Sequence, residues 1–289
     1  MSTELSEDLA EDLAEERAAF NADDDDFDLF RAAALLGRIE DPRLDVGPVL
    51  AEVEALAERV RDRVPEGAPW PAALGALVEV LFHREGFAGD DADYDAPQNS
   101  FLHRALERRR GLPITLSVLT CEVARRAGID AYGIGFPGHF LVGVHRSPDA
   151  PTDLVVIDPF HKGQPLGPTE LEDRLARLMG RPVELTPEHL EATPPAAILV
   201  RMLTNLRGSY ARRKDNEHLV RVLSRLLLLK PAAAELLCER ALARRELLDS
   251  DGARADAERA LSVAGGSEAA RERARRLLAV LDEDGRWVH

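Results

Sequence analysis

Two short strings of sequence decide the fold of this chain: GFPGHFLV at residues 135–142 and IDPF at residues 157–160. In the first string, His139 follows a Pro-Gly turn and opens an apolar run that is typical of a strand. In the second string, Asp158 ends the next such run. Side chains on adjacent antiparallel strands lie close enough to interact. We therefore expect His139 and Asp158 to come within hydrogen-bond distance of each other.

The residues around these strings predict an α+β fold with a small antiparallel sheet. The predicted strands are Ala131–Phe136, Phe140–His145 and Leu154–Ile157. A helix precedes them, with Pro113 in its first turn and Gly128 closing it. A shorter helix is expected upstream at residues 101–110, with Asn99 or Ser100 as its N-cap.

The C-terminal part of the chain, residues 190–285, has the pattern of consecutive helices. A repeat with a period of about 34 residues runs through it, so that Leu203 corresponds to Leu237. This period and the paired helices are typical of tetratricopeptide repeats. The second unit is weaker, because Arg240 and Arg244 lie where the first unit has Leu and Tyr. We expect a tetratricopeptide-like helical repeat region here.

The distribution of charge marks the acidic N-terminal residues as a third part of the chain, distinct from the α+β region and the helical repeat region. The chain has 37 Lys and Arg against 52 Asp and Glu, a net charge of −15. Residues 1–26 carry most of this excess, so we expect a disordered acidic tail, followed by one domain at residues 27–185 that begins with helices. Residues 201–230 are basic, either as a solvated helix surface or as a dock for the tail or an acidic partner. A chain this acidic is a poor binder of nucleic acid.

Cysteine and histidine usage indicates neither a disulfide framework nor a zinc site. Cys121 and Cys238 are the two cysteines, and no Cys/His cluster is present. His103 and His161 are isolated in sequence, which favours surface or capping roles.

No apolar stretch is long enough to span a membrane, and the acidic N-terminus is unlike a secretory signal. We expect a soluble, cytoplasmic protein without a cofactor or metal.

Two further strings complete a resemblance to a known family: RRGLPI at residues 109–114 and VARRAGI at residues 123–129. Together with the first two strings they resemble the bacterial SirB-type family, a transglutaminase-like domain followed by tetratricopeptide repeats. The resemblance is strong over residues 99–165 and looser over residues 190–265. It implies a papain-like core and a Cys–His–Asp triad for acyl transfer. His139 and Asp158 match the His and Asp of that triad.

The nucleophile is missing from its expected place. In active members of the wider superfamily a Cys begins the helix, where free backbone N–H groups and the helix dipole stabilise a thiolate. Counting back from the end of this helix reaches Pro113 or Ile114, and neither is a nucleophile. Cys121 lies two turns further on, on a face expected to pack. Thr115 and Ser117 are nearer the helix start and offer hydroxyl groups.

Two functions from different classes are compatible with this pattern. The first is a non-catalytic protein that binds a protein or peptide segment in the cleft marked by His139 and Asp158. The alternative is a hydrolase or acyltransferase in which Cys121 or a hydroxyl group reaches His139. The sequence does not identify the partner, the substrate or the oligomeric state. The residues that we predict to line the binding cleft are Thr115, Ser117, Phe136 and Phe140.

Overall fold

The structure is a computed structural model that describes residues 15–20, 27–65, 67–146 and 153–286. Most of the predicted acidic tail lies outside these residues. The chain forms two compact units, one of Asp28–Gly37 with Leu44–Met202, the other of Met1–Phe27, Arg38–Arg43 and Leu203–His289. None of the described helices is both long and apolar enough to cross a membrane.

The first unit contains six helices among its described residues, a seventh that begins in it, and two small sheets. The helices are α1 (Leu29–Leu35), α2 (Gly47–Arg61), α3 (Trp70–Val78), α4 (Leu102–Arg108), α5 (Pro113–Arg126), α6 (Pro168–Met179) and α7 (Pro195–Arg213). A π-helical segment, Glu79–Arg84, continues α3. The prediction of α5 is confirmed, including Pro113 in its first turn. The helix α6 and the strand that precedes it were not predicted.

The main sheet is antiparallel, as predicted, and its four strands lie side by side in chain order. Its strands are β3 (Ala131–Ile134), β4 (Leu141–His145), β5 (Leu154–Asp158) and β6 (Gln164–Leu166). The first predicted strand ended two residues too late and the second began one residue too early. Residues Gly135 to Phe140 form the connection between β3 and β4 instead. Gly138 has a φ of 71° there, a conformation that glycine adopts without strain.

Residues on both faces of this sheet are buried, and helices cover it. Four successive residues of β4, from Leu141 to Val144, are buried. Helix α5 packs against β3 and β4, and eleven of its fourteen residues are buried. A separate apolar cluster joins the sheet to α6: Ile134, Phe136, Leu141, Val156, Leu166, Leu171 and Leu175. The site described below lies at the end of β5, where this cluster meets α6.

The predicted N-cap of the short helix was wrong. Asn99 and Ser100 belong to a 3-10 turn, Pro97–Ser100, and α4 begins after Phe101 without a side-chain cap. The Asn99 side chain donates to the Asp93 carbonyl instead and accepts a hydrogen bond from Arg108. The helix also ends earlier than predicted, because β2 (Arg110–Gly111) pairs in parallel with β1 (Ala88–Gly89).

In the second unit, the described residues beyond 202 are helical apart from short turns, as predicted. The remainder of α7 is followed by α8 (Asn216–Leu229), α9 (Ala234–Glu246), α10 (Ser250–Ser262) and α11 (Glu268–Arg286). Helix α9 packs against both α8 and α10, and α10 packs against α11. Arg240 and Arg244 break the apolar pattern because both bind the buried carboxylate of Asp256.

The N-terminal segment contributes a buried ion pair to the same unit. Residues 15–19, within the predicted acidic tail, form a short helical segment. The carboxylate of Glu16 lies 2.6 Å from the guanidinium of Arg225 on α8, and both side chains are almost completely buried. Phe20, four residues after Glu16, is buried as well. One residue of the acidic segment therefore pairs with one residue of the basic stretch 201–230.

Candidate functional site

The structure brings the two predicted residues of the triad together. Nε2 of His139 lies 3.0 Å from Oδ1 of Asp158. His139 is placed by the turn that leads into β4, and Asp158 by the last position of the neighbouring strand β5. The pairing register aligns Val142 with Ile157, so the two polar residues lie at the same end of the paired strands.

Asp158 accepts more hydrogen bonds than a triad requires. Its side chain is completely buried. The backbone N–H groups of Phe160 and His161 donate to Oδ1, so the carboxylate caps the 3-10 turn Pro159–His161. Nδ1 of His161 and Nη1 of Arg174 each lie 2.7 Å from Oδ2. Asp158 is therefore both the partner of His139 and a structural centre of this end of the sheet.

The electrostatics of the site keep Asp158 ionised. Burial alone would raise the pKa of this carboxyl, but hydrogen bonds from His139, His161 and Arg174 outweigh burial and hold the pKa well below its usual range. An ionised carboxylate only accepts hydrogen bonds. The proton of the first contact must therefore reside on Nε2 of His139. In the neutral ring, Nδ1 is then an acceptor, the state of a general base.

Sequence reasoning missed His161 and Arg174. His161 was expected at a surface or cap, and its half-exposed side chain turns back to Asp158. Arg174 lies on α6, for which the sequence offered a signal: Leu171, Leu175 and Leu178 recur at helical spacing after a proline. That pattern predicts a helix, but only the tertiary structure shows that Arg174 reaches Asp158.

Aromatic side chains and a second arginine surround His139. The ring of Phe160 packs edge-on against His139 and against Tyr94, with centroid distances of 5.9 and 5.8 Å. Arg201 donates to the backbone carbonyl of His139, and its guanidinium lies over the ring of Phe140. The turn that carries His139 is thereby held from both sides.

The four residues predicted to line a binding cleft are all buried. Phe136 lines the cavity beside His139. Thr115, Ser117 and Phe140 instead belong to the interior behind the turn. The Ser117 hydroxyl donates to the carbonyl of Phe140 at 3.4 Å, and the Thr115 hydroxyl has no hydrogen-bond partner among the described residues.

The candidate nucleophiles of the sequence lie in different environments within the part of the chain that the structure describes. Ile114 is buried in the first turn of α5. Cys121 is partly exposed as a residue, but burial of its sulfur, with a contribution from Glu122, raises the pKa of the thiol to about 12. Cys238 lies on α9 and donates to the carbonyl of Ala270. Among the described residues no thiol or hydroxyl group is hydrogen-bonded to the His139 ring.

A cavity of about 410 Å³ opens beside His139. Its lining residues are Phe136, Pro137, Gly138, His139, Arg174, Arg177 and Leu178. Two of these are arginines from one face of α6, and none is acidic. The cavity lining is therefore positively charged, whereas the chain as a whole has a net charge of −15.

His139 also belongs, with Asp158 and His161, to a donor set that could hold a metal ion. One ligand atom from each of His139, Asp158 and His161 lies within 4.8 Å of the others. Arg174, however, places a positive charge 2.7 Å from the Asp158 carboxylate. This guanidinium already neutralises the carboxylate and repels a second cation. The arrangement therefore suits an ion-pair network better than a metal centre.

The geometry of this site can be compared with known families. The sequence model of the transglutaminase-like superfamily matches residues 48–204, which contain the whole site. The chain belongs to the transglutaminase-like superfamily. The matched residues run from the first turn of α2 into α7, so α2 to α5, which precede the main sheet, are part of the transglutaminase-like region.

Relatives of this transglutaminase-like protein occur in several bacteria. A UPF0162 protein of Xylella fastidiosa (strain 9a5c) is 37% identical over 246 residues, which cover 83% of this chain and 85% of that protein. A UPF0162 protein of Pseudomonas aeruginosa is 28% identical over 233 residues, covering 81% and 83% respectively. F-box only protein 21 of Mus musculus is 36% identical over 103 residues, 34% of this chain and 16% of that protein. No solved structure gives a significant match.

Proposed function

We propose that this protein is a non-catalytic binding protein whose transglutaminase-like core holds a protein or peptide segment beside His139. The observation that carries this proposal is that, within the described part of the chain, the His and the Asp of a triad are paired without a nucleophile bound to the His. His139 and Asp158 are paired at 3.0 Å, yet among the described residues no thiol or hydroxyl group is hydrogen-bonded to the ring. Covalent acyl transfer requires a nucleophile within reach of its base.

The state of Cys121 supports the same conclusion. A thiol attacks as its thiolate, and a pKa of about 12 leaves roughly one molecule in 10⁵ ionised at pH 7. The residue also lies in the third turn of α5, away from the free N–H groups at the helix start. Both features oppose the stabilisation that a catalytic cysteine needs.

We further propose that α7 to α10 are two tetratricopeptide-like units, as in the SirB-type arrangement, and that the protein works in the cytoplasm. In support, helices alternate with short turns, and α9 packs against both neighbours. The sequence period of 34 residues relates Leu203 to Leu237, and both side chains are fully buried. Such repeats commonly bind peptides.

A hydroxyl-dependent hydrolase or acyltransferase is the second candidate. The observation in its favour is the intact His139–Asp158 pair, with Nδ1 of the neutral ring left as an acceptor. Thr115 near the start of α5 would be its nucleophile, since its buried hydroxyl has no partner among the described residues. This candidate requires Thr115 to move to the imidazole.

One experiment separates the two candidates. The full chain is assayed for transamidation and hydrolysis of a blocked glutaminyl peptide, with His139→Ala and His145→Ala variants. His145 is a matched control, because it pairs with Asp130 at 2.7 Å at the far end of β4. We expect no turnover by the wild type above that of His139→Ala. Turnover that only His139→Ala abolishes would establish the enzyme instead.

The binding arm of the experiment uses a phage library of random heptapeptides. We expect the wild type and His145→Ala to select and retain the same peptides, and His139→Ala to lose them. Selected peptides that bind all three proteins equally would show that the cleft is not the binding site.

A further inference from the structure

We propose that the cleft beside His139 recognises a carboxylate group of the bound segment through Arg177 and Arg174. This inference rests on the proposed function and adds the chemistry of the ligand. It commits to a carboxylate on a peptide, carried either by an acidic side chain or by a chain end.

The charges around the cavity leave one positive charge without a counter-ion. Asp158 is ionised and buried, and Arg174 balances it at 2.7 Å. Arg177 adds a further positive charge at the cavity wall, and no acidic side chain pairs with it among the described residues. Within the cavity lining and Asp158 the surplus is therefore about one unit; Arg201, which donates to the carbonyl of His139, lies outside the lining. A single carboxylate matches it, whereas a phosphate monoester brings nearly two negative charges.

The two arginines are placed to act on one ligand. They lie three residues apart on α6, a spacing that puts both on the same helix face. Arg174 uses Nη1 for Asp158, which leaves its other N–H donors for a ligand. Arg177 is exposed and keeps all five donors available. Guanidinium groups bind carboxylates through charge-assisted, often bidentate, hydrogen bonds.

The rest of the cavity fits the remainder of a peptide. Phe136, Pro137 and Leu178 give it an apolar wall, and Leu178 is 54% exposed. Nε2 of His139 is occupied by Asp158, and Nδ1 has no hydrogen-bond partner among the described residues. A backbone N–H of the ligand can donate to that nitrogen. The expected ligand therefore combines a carboxylate, a neighbouring amide and an apolar side chain.

Arg177 also lies in the last turn of α6, where a positive charge stabilises the helix dipole without any ligand. A purely structural role of this kind predicts that substitution changes stability and leaves the choice of ligand unchanged. The test must therefore compare ligands, not only variants.

The probes are three five-residue peptides with leucines beside the central position. One has a central Glu and is blocked at both ends, one has Gln in its place, and one has Gln and a free terminal carboxylate. Binding to the full chain is followed by NMR titration of ¹⁵N-labelled protein. The variants are Arg177→Gln and a matched control, Arg181→Gln, which is exposed and outside the cavity lining.

We expect the wild type and Arg181→Gln to bind at least one carboxylate peptide about tenfold more tightly than the blocked Gln peptide. Arg177→Gln should remove this preference and unfold at the wild-type temperature within about 2 °C. The Glu peptide and the free-end peptide distinguish a side-chain from a chain-end carboxylate.

Equal binding of all three peptides, or a preference that survives in Arg177→Gln, would overturn the carboxylate proposal and leave the binding function standing. Absence of binding by every peptide would overturn it as well. Turnover of a peptide that depends on His139 would contradict the proposed function, and a carboxylate preference can still be read from the ratio of KM values.

Discussion

The carboxylate of Asp158 is surrounded by donors: His139, His161 and Arg174 from their side chains, and Phe160 and His161 from their backbones. In a working triad the acid orients the imidazole and stabilises the imidazolium that forms. Here the same oxygens also cap a turn and bind α6. Asp158 therefore also has a structural role, and the presence of the pair alone does not indicate catalysis.

Replacing Asp158 with Asn should destabilise the protein by about 3–5 kcal/mol, because the substitution leaves buried cationic and N–H groups unpaired. The pKa of Asp158 is lower in the folded chain than in the unfolded chain. Its stabilising contribution is therefore complete above about pH 4, its unfolded pKa, and is lost as the pH falls toward the folded pKa.

The measurement is the free energy of unfolding in urea between pH 7 and pH 2.5, for the wild type and Asp158→Asn. The difference in free energy of unfolding between the wild type and Asp158→Asn should shrink below about pH 4. A constant difference across this range would mean that the carboxylate charge does not contribute.

Cys121 offers a second test at the scale of one residue. With a pKa of about 12, its thiol should resist iodoacetamide at pH 7.5 in the folded chain and react quickly in urea. Mass spectrometry of tryptic peptides gives the labelling of Cys121 and of Cys238, whose pKa burial also raises. Rapid labelling of Cys121 in the folded protein would restore it as a nucleophile.

At the scale of elements, the proline and glycine residues that bound helices and strands predicted the centre of the fold well. Pro113 and Gly128 bound α5, and the Pro-Gly turn separates the first two strands of the main sheet. The N-cap was wrong because Asn99 uses its side chain for Asp93 and Arg108, contacts that are not visible in a local pattern. Burial of polar residues such as Thr115 likewise depends on tertiary packing.

The contact between β1 and the turn after β5 gives an elemental prediction. A Cβ atom on Gly89 would overlap the ring of Phe160, which packs against His139. Gly89→Ala should therefore displace that ring and destabilise the protein by about 1–3 kcal/mol.

Gly75 on α3 is the matched control, since a Cβ there meets no atom within 4 Å. Gly75→Ala should stabilise the protein by about 0.5–1 kcal/mol through helix propensity. Urea unfolding of both variants measures the contrast, and equal stabilities would contradict the close packing of β1.

At the scale of the whole molecule, the uneven charge of the chain is partly neutralised within the second unit. Arg207 pairs with Glu239, Arg221 with Glu217, and Arg225 with Glu16. Three of the eight basic residues in the stretch 201–230 therefore have internal ion-pair partners, so its net charge overstates what it offers to another molecule. The pair of Arg225 with Glu16 supports the hypothesis that the acidic segment docks on residues 201–230.

Glu16→Gln should destabilise the protein by about 3–5 kcal/mol, because Arg225 would keep a buried charge without its counter-ion. Glu15→Gln is the control: its pair with Arg38 is more exposed and should contribute at most about 1 kcal/mol. Thermal unfolding at 0.05 and 0.5 M salt measures both. The Glu16 effect should persist at high salt, since buried pairs are screened weakly; equal effects of the two variants would contradict the buried pair.

The buried ion pair also sets an order of events during synthesis. Glu16 and Arg225 are 209 residues apart in the chain. At roughly 5–20 residues per second, a ribosome needs about 10–40 s to reach Arg225 after it has passed Glu16. Throughout that interval Arg225 has not yet been made, so the carboxylate of Glu16 has no partner and must stay hydrated. Glu16 is thus made long before its partner and can be buried only late in folding.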